Sequence, residues 1–339
     1  MSKNTAFIIP LAYPDTVVRV SNEWYLQHLH YIGIGKKNYV KAGHAAFVLI
    51  EKLTGVIEYF DFGRYITPEP FGRVRSSLTD NELVIDLKAE IKNDTILNLK
   101  DILLFFATNP KLTHGKGRMV ATVCSEVNYM RAKQYVARFQ YDLIPYAAFK
   151  RKASNCARFV TDMLLVSVQN KIFIRKLNKI KLFTPSPIGN VLSVKGNTDV
   201  FEISDDGDVS IFKNKKYKEI LNCFLDSVKD HKVNLQGNLE PKKVKGLSNN
   251  AQWLSGIGAG AWFELFKTEI KNEFIFKRTS AFGTVDVEAI FKVSDLSFNI
   301  NEAYQFTHKS NCDILLIRQN SVLFKFENCS NLIHKERLV

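Results

Sequence analysis

The amino-acid sequence predicts an α+β fold, with an antiparallel sheet packed on helices followed by a smaller β-rich domain. Three observations predict it. Residues 44–50 are a strand candidate, and residues 56–62, alternating and β-branched or aromatic, read as the return strand beyond the turn Glu51-Lys52-Leu53-Thr54-Gly55, the pattern of a hairpin. Residues 128–139 and 156–168 instead repeat their apolar positions at helical spacing. Beyond residue 188 the apolar runs, among them 274–278 and 314–318, are again strand-like.

In chain order, residues 6–11 read as a short strand stopped by Pro10 and Pro14. Residues 23–34 mix aromatics with His28 and His30 and end at Gly33 and Gly35. The hairpin of 44–62 follows, then a strand at 83–89. Residues 100–108 read as a helix ending near Asn109-Pro110, because proline restricts the residue before it. Residues 119–126 form a strand or its approach, and the helices of 128–139 and 156–168 complete the unit. From Ile172 lysine and isoleucine alternate to Lys181, and Pro185, Pro187 and Gly189 then punctuate the chain. This places a boundary between a domain of residues 1–180 and one of residues 188–339. The second is expected to hold one helix at 217–228 and a glycine-rich turn at 256–263 that leads into a buried Trp262.

Composition narrows the function. The chain has 339 residues, 46% hydrophobic and 24% charged, which is ordinary for a globular protein. A formal charge of +13 favours anionic partners. The densest basic groups, at 213–216 and 242–245, are not interleaved with aromatics, so nucleic acid is set aside as a partner and an anionic partner on a basic surface is kept. Five cysteines, an odd number without a CxxC, argue against a disulfide scaffold and a cysteine-rich zinc site. No cofactor or metal is expected. The N-terminus has no apolar core of secretory length and no run approaches a membrane span, so the protein is expected in the cytoplasm or exported by a route without a cleaved signal, with no stable membrane insertion.

The leading chemical candidate is Cys156. Ser154 and Asn155 are good N-cap residues, and apolar helical spacing begins just beyond them, so Cys156 falls in a first helical turn. There the unpaired N–H groups and the helix dipole favour a thiolate and can hold an oxyanion. A thiolate nucleophile needs an imidazole, and His44, opening a strand after Gly43, is the candidate base. With a four-residue loop Ile50 pairs with Gly55 and His44 lies directly opposite Asp61, which then orients the ring; Glu58 is the alternative third group. Arg64 and Asn155 are candidate substrate-binding residues. His114, in a basic turn, is a second possible base. His28 and His30 share a face if they lie on a strand, but no fourth metal ligand accompanies them.

A Gly-His opening an apolar strand, a hairpin with a polar residue on its return strand, and a later Asn-Cys-x-x-Phe opening a helix resemble the circularly permuted papain-like enzymes of the NlpC-type superfamily. In that group the histidine precedes the cysteine, as His44 precedes Cys156. The resemblance covers residues 1–180. It implies a permuted papain-like core with Cys156 as nucleophile, His44 as base and Asp61 in the third, polar position. It implies cleavage of a peptide-like amide through a Cys156 thioester, acting on a peptide or acyl substrate. The alternatives are a non-catalytic binding protein on the same core, and an acyltransferase or lipase-type effector, exported to act on cell-wall peptides or lipids.

Overall fold

The computed structural model describes residues 4–21, 23–67, 70–140, 142–213, 226–228, 244–256, 259–280 and 283–331, together with Glu219. The first unit is a mixed sheet and helix layer structure. Its strands are β1 (Ala6–Tyr13), β2 (His44–Glu51), β3 (Ile57–Gly63), β4 (Phe71–Arg75), β5 (Met119–Ala121), β6 (Cys124–Val127), β7 (Ile144–Pro145), β8 (Phe201–Ile203) and β9 (Val209–Ile211). They lie in the order β7-β4-β3-β2-β1-β5-β8-β9, with β6 also on β1, and every pairing is antiparallel.

Pro10 does not stop β1. Its neighbours on one edge are two separate strands, β6 reaching Ile8 and β5 beginning at Leu11, so Pro10 faces the break where no ladder donor is needed. The same break divides the expected single strand of 119–126 in two.

Alternation along β2 and β3 feeds two cores. Ala45, Phe47, Leu49, Phe60 and Phe62 meet one layer of helices, formed by α2 (Tyr129–Gln140), α3 (Cys156–Ser167) and α4 (Lys171–Lys181). Ala46, Val48, Ile50, Ile57 and Tyr59 meet the other face, covered by α1 (Leu99–Ala107) and the segment that follows β4. Within that segment the strand expected at 83–89 is not formed. Residues 81–83 make a single 3-10 turn and the rest runs extended, with one isolated bridge from Lys88 to Val56. Leu83, Ile85 and Leu87 pack as a cover on the sheet instead of joining it.

The domain boundary expected at 180–188 falls inside the first unit. The lysine–isoleucine run of 172–181 is the amphipathic helix α4, which buries Phe173 and Leu177. The paired prolines start α5 (Pro187–Ser193), capped by Ser186, whose Ile188 and Val191 pack with Ala12 and Val120 of the sheet. Strands β8 and β9 then extend the same sheet, so the first unit runs to Ile211 or just beyond. The helix expected at 217–228 and both basic groups lie largely outside the described residues.

The second unit is a seven-stranded antiparallel sheet. Its strands are β10 (Gln252–Gly256), β11 (Ala259–Lys267), β12 (Glu273–Ser280), β13 (Val285–Val293), β14 (Gln305–Phe306), β15 (Ile314–Gln319) and β16 (Val322–Asn331), ordered β10-β11-β12-β13-β16-β15-β14. The Gln252 amide joins the two edge strands: Nε2 donates to the Tyr304 carbonyl at 2.9 Å and Oε1 accepts from the Phe306 N–H at 2.9 Å. The sheet therefore curls to near closure around a phenylalanine-rich core. The described residues of the glycine-rich run, Gly256 and residues 259–263, belong to the β10–β11 hairpin, where Trp262 is half-buried instead of buried and its ring lies 5.4 Å from that of Trp253. Among the described residues no helix is long and apolar enough to cross a membrane.

Candidate active site

The β2–β3 hairpin brings His44 and Asp61 together by a register different from the one the loop suggested. Ile50 pairs with Ile57 and Ala46 with Asp61, so Asp61 is diagonal to His44 instead of opposite it. The loop is longer because Gly55 turns at φ +68° and its N–H closes on the Glu51 carbonyl at 2.9 Å. The slip is two residues, which preserves the face. His44 Nε2 lies 3.4 Å from Asp61 Oδ2. Gly43, with φ +72°, sets the approach to His44; a Cβ there would stand 3.0 Å from the Tyr13 carbonyl oxygen.

Glu58, the alternative third group, points to the other face. It accepts from Tyr129 Oη at 2.8 Å and pairs with Lys133 of α2.

Asp61 is fully buried and held by four side chains. Arg75 donates through Nε to Oδ1 at 3.0 Å and through Nη2 to Oδ2 at 2.6 Å. Tyr59 and Tyr65 donate their hydroxyls to Oδ2 at 3.0 and 3.2 Å, and His44 completes the set. Burial favours the neutral acid, but the Arg75 charge and these donors outweigh it and hold the carboxyl well below the usual range.

Cys156 is the first residue of α3, and its helix start is built as the sequence predicts. The Asn155 side chain accepts from the Arg158 N–H at 2.9 Å, and its Nδ2 donates to the Ala147 carbonyl at 3.2 Å. The Asn155 amide thus caps the helix and fastens the preceding loop, while Asn155 also lines the cavity beside Cys156. His44 and the N–H groups of Ala45 and Ala157 are near enough to Cys156 to act on its ionisation. Burial raises the thiol, yet His44 and the two amides outweigh it, and the net direction is down. For His44, burial disfavours the charged ring, but Asp61 and Cys156 overcome this and lift it to about 9. By contrast burial pushes Cys124 up to about 11 and Cys312 up to about 12. The Cys156–His44 pair thus favours thiolate and imidazolium.

Arg64 is placed differently from expectation. Its guanidinium donates to the Arg19 and Val20 carbonyls and lies 4.7 Å over the Tyr146 ring. Tyr146 in turn lies beside Cys156 and stacks on Phe62. Arg64 therefore braces Tyr146 instead of waiting at a rim for a substrate carboxylate. His114 lies with its ring 5.0 Å from Tyr65 and makes no hydrogen bond to Cys156 or Asp61 among the described residues. His28 and His30 are on a 3-10 segment, Trp24–Ile32, with Nδ1 atoms bonded to the Trp24 and Gln27 carbonyls. Among the described residues no cluster of histidine, cysteine and carboxylate side chains has the grouping of a metal site.

Arg75 and Tyr146 were missed by sequence reasoning. The signal for Arg75 was two arginines at period two around Val74 in Phe71-Gly72-Arg73-Val74-Arg75, a strand that buries both. For Tyr146 the only hint was its place in the apolar approach to Asn155.

Cys156 lines a cavity of about 950 Å³. Its walls come from the 3-10 segment, the residues around Val18 and Val20, the loop of Tyr146 to Phe149, helix α4 and the turn into α5.

No curated protein is matched by this chain. The crystal structure of the type VI secretion system effector TseH aligns over 62% of this chain and 100% of that one, at 21% identity and a TM-score of 0.40. Residues 251–329 match the family model described as DUF6695 C-terminal domain. Residues 8–173, which include Cys156, His44 and Asp61, match the family model described as type VI secretion system effector, TseH-like.

Proposed function

We propose that the first unit is a cysteine hydrolase, delivered as a secreted effector, that cleaves an amide or ester through a thioester on Cys156. The observation that carries this reading is the continuous chain Cys156, His44, Asp61, Arg75, with the sulfur lining a large cavity. The alternative of a non-catalytic core predicted a separation beyond about 6 Å with Cys156 walled off; the influence of His44 on the thiol and the place of Cys156 on a cavity wall favour the enzyme.

Each group has a task that follows from its surroundings. The Cys156 thiolate attacks the carbonyl carbon. Negative charge gathers on the carbonyl oxygen beside the start of α3, where backbone N–H groups and the hydroxyl of Tyr146 supply donors. The His44 imidazolium gives its proton to the leaving amine or alkoxide, and the neutral ring then takes one from water to release the acyl group. Asp61, kept anionic by Arg75, fixes the ring through Nε2. The match of residues 8–173 to an effector family supports export by a secretion apparatus without a cleaved signal.

The test is labelling of the full chain with an electrophilic acyl probe, followed by peptide mass spectrometry. A covalent adduct on Cys156 that disappears in His44→Ala is expected. An unmodified Cys156 while other thiols react would overturn the assignment.

A further inference from the structure

Resting on that reading of Cys156, the geometry points to a substrate class: we propose that the cavity receives the long acyl chain of an anionic phospholipid, drawn from a membrane on which the cavity face docks. Three independent features converge on it.

The cavity wall is mostly apolar, whereas a peptide site needs many donors and acceptors. Val18, Val20, Leu26, Leu29, Ile180 and Phe183 line it, and Cys156 is the nucleophile on its wall. At about 950 Å³ it lies at the upper end of the roughly 300–1,000 Å³ usual for ligand sites. A peptide stem presents amides and charges, which such walls leave unsatisfied. A hydrocarbon chain loses nothing there.

The charged residues in its lining have one sign. The lining holds Arg19, Lys176 and Lys179 and no acidic residue. Lys176 and Lys179 belong to α4, whose eleven residues, KIFIRKLNKIK, include five cations and no anion. Lys181 of this helix is paired with Asp162, whereas Lys176 and Lys179 project from its exposed face beside the cavity. Cations at a surface of this kind meet a phosphate headgroup.

The face around the cavity exposes large apolar side chains. Trp24 and Tyr31 are 74% and 78% exposed on the 3-10 segment, and Leu182 and Phe183 are 87% and 76% exposed just after α4. A row of rings, Tyr25 to Phe149 at 6.0 Å and Phe149 to Phe183 at 5.1 Å, joins the two patches along the cavity. Exposed Trp and Tyr with a lysine-rich amphipathic helix are the composition of a surface that lies in a lipid interface.

The chemistry is an ordinary acyl transfer. The Cys156 sulfur bonds to the ester carbonyl carbon as the carbon–oxygen bond to the glycerol breaks, and the alkoxide takes the proton of His44. Water, losing a proton to His44, then attacks the thioester, the carbon–sulfur bond breaks, and a fatty acid leaves. The products are a lysophospholipid and a free fatty acid, with no change of oxidation state.

The experiment uses the full chain with vesicles of phosphatidylglycerol, vesicles of phosphatidylcholine, a soluble long-chain acyl thioester and nitrophenyl esters of two to sixteen carbons. Fatty-acid release is read by mass spectrometry and binding by cosedimentation. The proposal expects binding and release on phosphatidylglycerol, loss of release in Cys156→Ala, and kcat/KM on the soluble esters rising by up to about fourfold per methylene until the cavity fills. Lys176→Glu with Lys179→Glu lowers vesicle binding at least tenfold, and Leu29→Trp, which narrows the cavity, cuts long-chain turnover more than two-carbon turnover. Turnover of esters or amides with no chain-length preference, equal binding to both vesicles, or cleavage of the soluble thioester without vesicle binding each overturns the lipid assignment and leaves the hydrolase standing. Absence of turnover and of probe labelling at Cys156, with vesicle binding intact, overturns the hydrolase reading instead.

Discussion

Arg75 grips Asp61 by two roughly parallel hydrogen bonds, Nε to Oδ1 at 3.0 Å and Nη2 to Oδ2 at 2.6 Å, and neither side chain meets solvent. The pair fixes the charge on which His44 depends. Arg75→Met removes the cation and leaves a buried carboxylate with only neutral donors and His44. Losing one partner of a buried pair costs about 3–5 kcal/mol. The expected result is a large drop in the melting temperature by calorimetry, together with loss of probe labelling at Cys156. An unchanged melt would show that Asp61 is neutral in the fold. Asp61→Asn separates the two roles: Arg75 loses its charge partner, and His44 loses the acceptor that holds its ring. Turnover should fall by about 10²–10⁴, the range for a misdirected general acid–base group.

Gly43 positions the other end of that link. Its φ of +72° strains any residue with a side chain, and a Cβ at this position would stand a tight 3.0 Å from the Tyr13 oxygen. Gly43→Ala forces the backbone ahead of His44 to move. A residue held in this region costs about 1–3 kcal/mol, and the imidazole shifts with it. Turnover should fall more than tenfold while circular dichroism stays native. Wild-type kinetics in Gly43→Ala would mean that His44 is positioned by its hydrogen bonds alone.

The residues Asn155, Cys156 and His44 are legible in the sequence because each carries a local signal, whereas Arg75 and Tyr146 carry none strong enough to single them out. Asn155 and Cys156 announce a helix start through capping chemistry, and Gly43-His44 announces a strand start through its glycine. The Asp61 register was read two residues out, since the left-handed turn at Gly55 adds loop length that composition does not reveal. The even slip kept Asp61 on the face of His44, so the pairing survived the error. Polar side chains near a nucleophile look available for substrate; in the fold the Asn155 amide also caps α3 and the Arg64 guanidinium is held by backbone carbonyls, which composition does not reveal. Pro185 and Pro187 misled for a related reason. Proline at a helix start and proline in a linker have the same sequence signature, and only the burial of Ile188 and Val191 tells them apart.

Arg278 joins the two units. From β12 it reaches Asp286 of its own sheet at 3.0 Å, and Glu82 and Asp80 of the first unit at 3.2 and 3.6 Å. Arg73 holds Asp80 from the other side, and the Asn81 amide donates to the Asp286 carbonyl at 3.1 Å. Arg278→Met keeps much of the volume and removes the charge that three carboxylates share. The two sheets, whose hydrophobic cores are separate, should then melt in two calorimetric transitions. A single unshifted transition would mean that apolar contacts join the units without this ion cluster.

The Cys156–His44 pair sets the pH dependence. The reactive form carries a thiolate and an imidazolium. On the acid side kcat/KM rises as the thiol ionises, below the ordinary value of about 8.5. On the basic side it falls as His44, lifted to about 9, loses its proton. The same shift acts on stability: His44 titrates higher in the folded chain than the ~6.5 of the unfolded one, so its contribution is full below that pH and is lost as pH rises through about 9. Iodoacetamide kinetics at each cysteine check the acid limb directly. Near neutral pH Cys156 should alkylate faster than Cys124 and Cys312, whose thiols burial pushes to about 11 and 12. In His44→Gln the Cys156 ionisation moves up and the basic limb disappears, because the group that produces it is gone. A basic limb that persists in His44→Gln would assign it to another residue and break the pairing on which the mechanism rests.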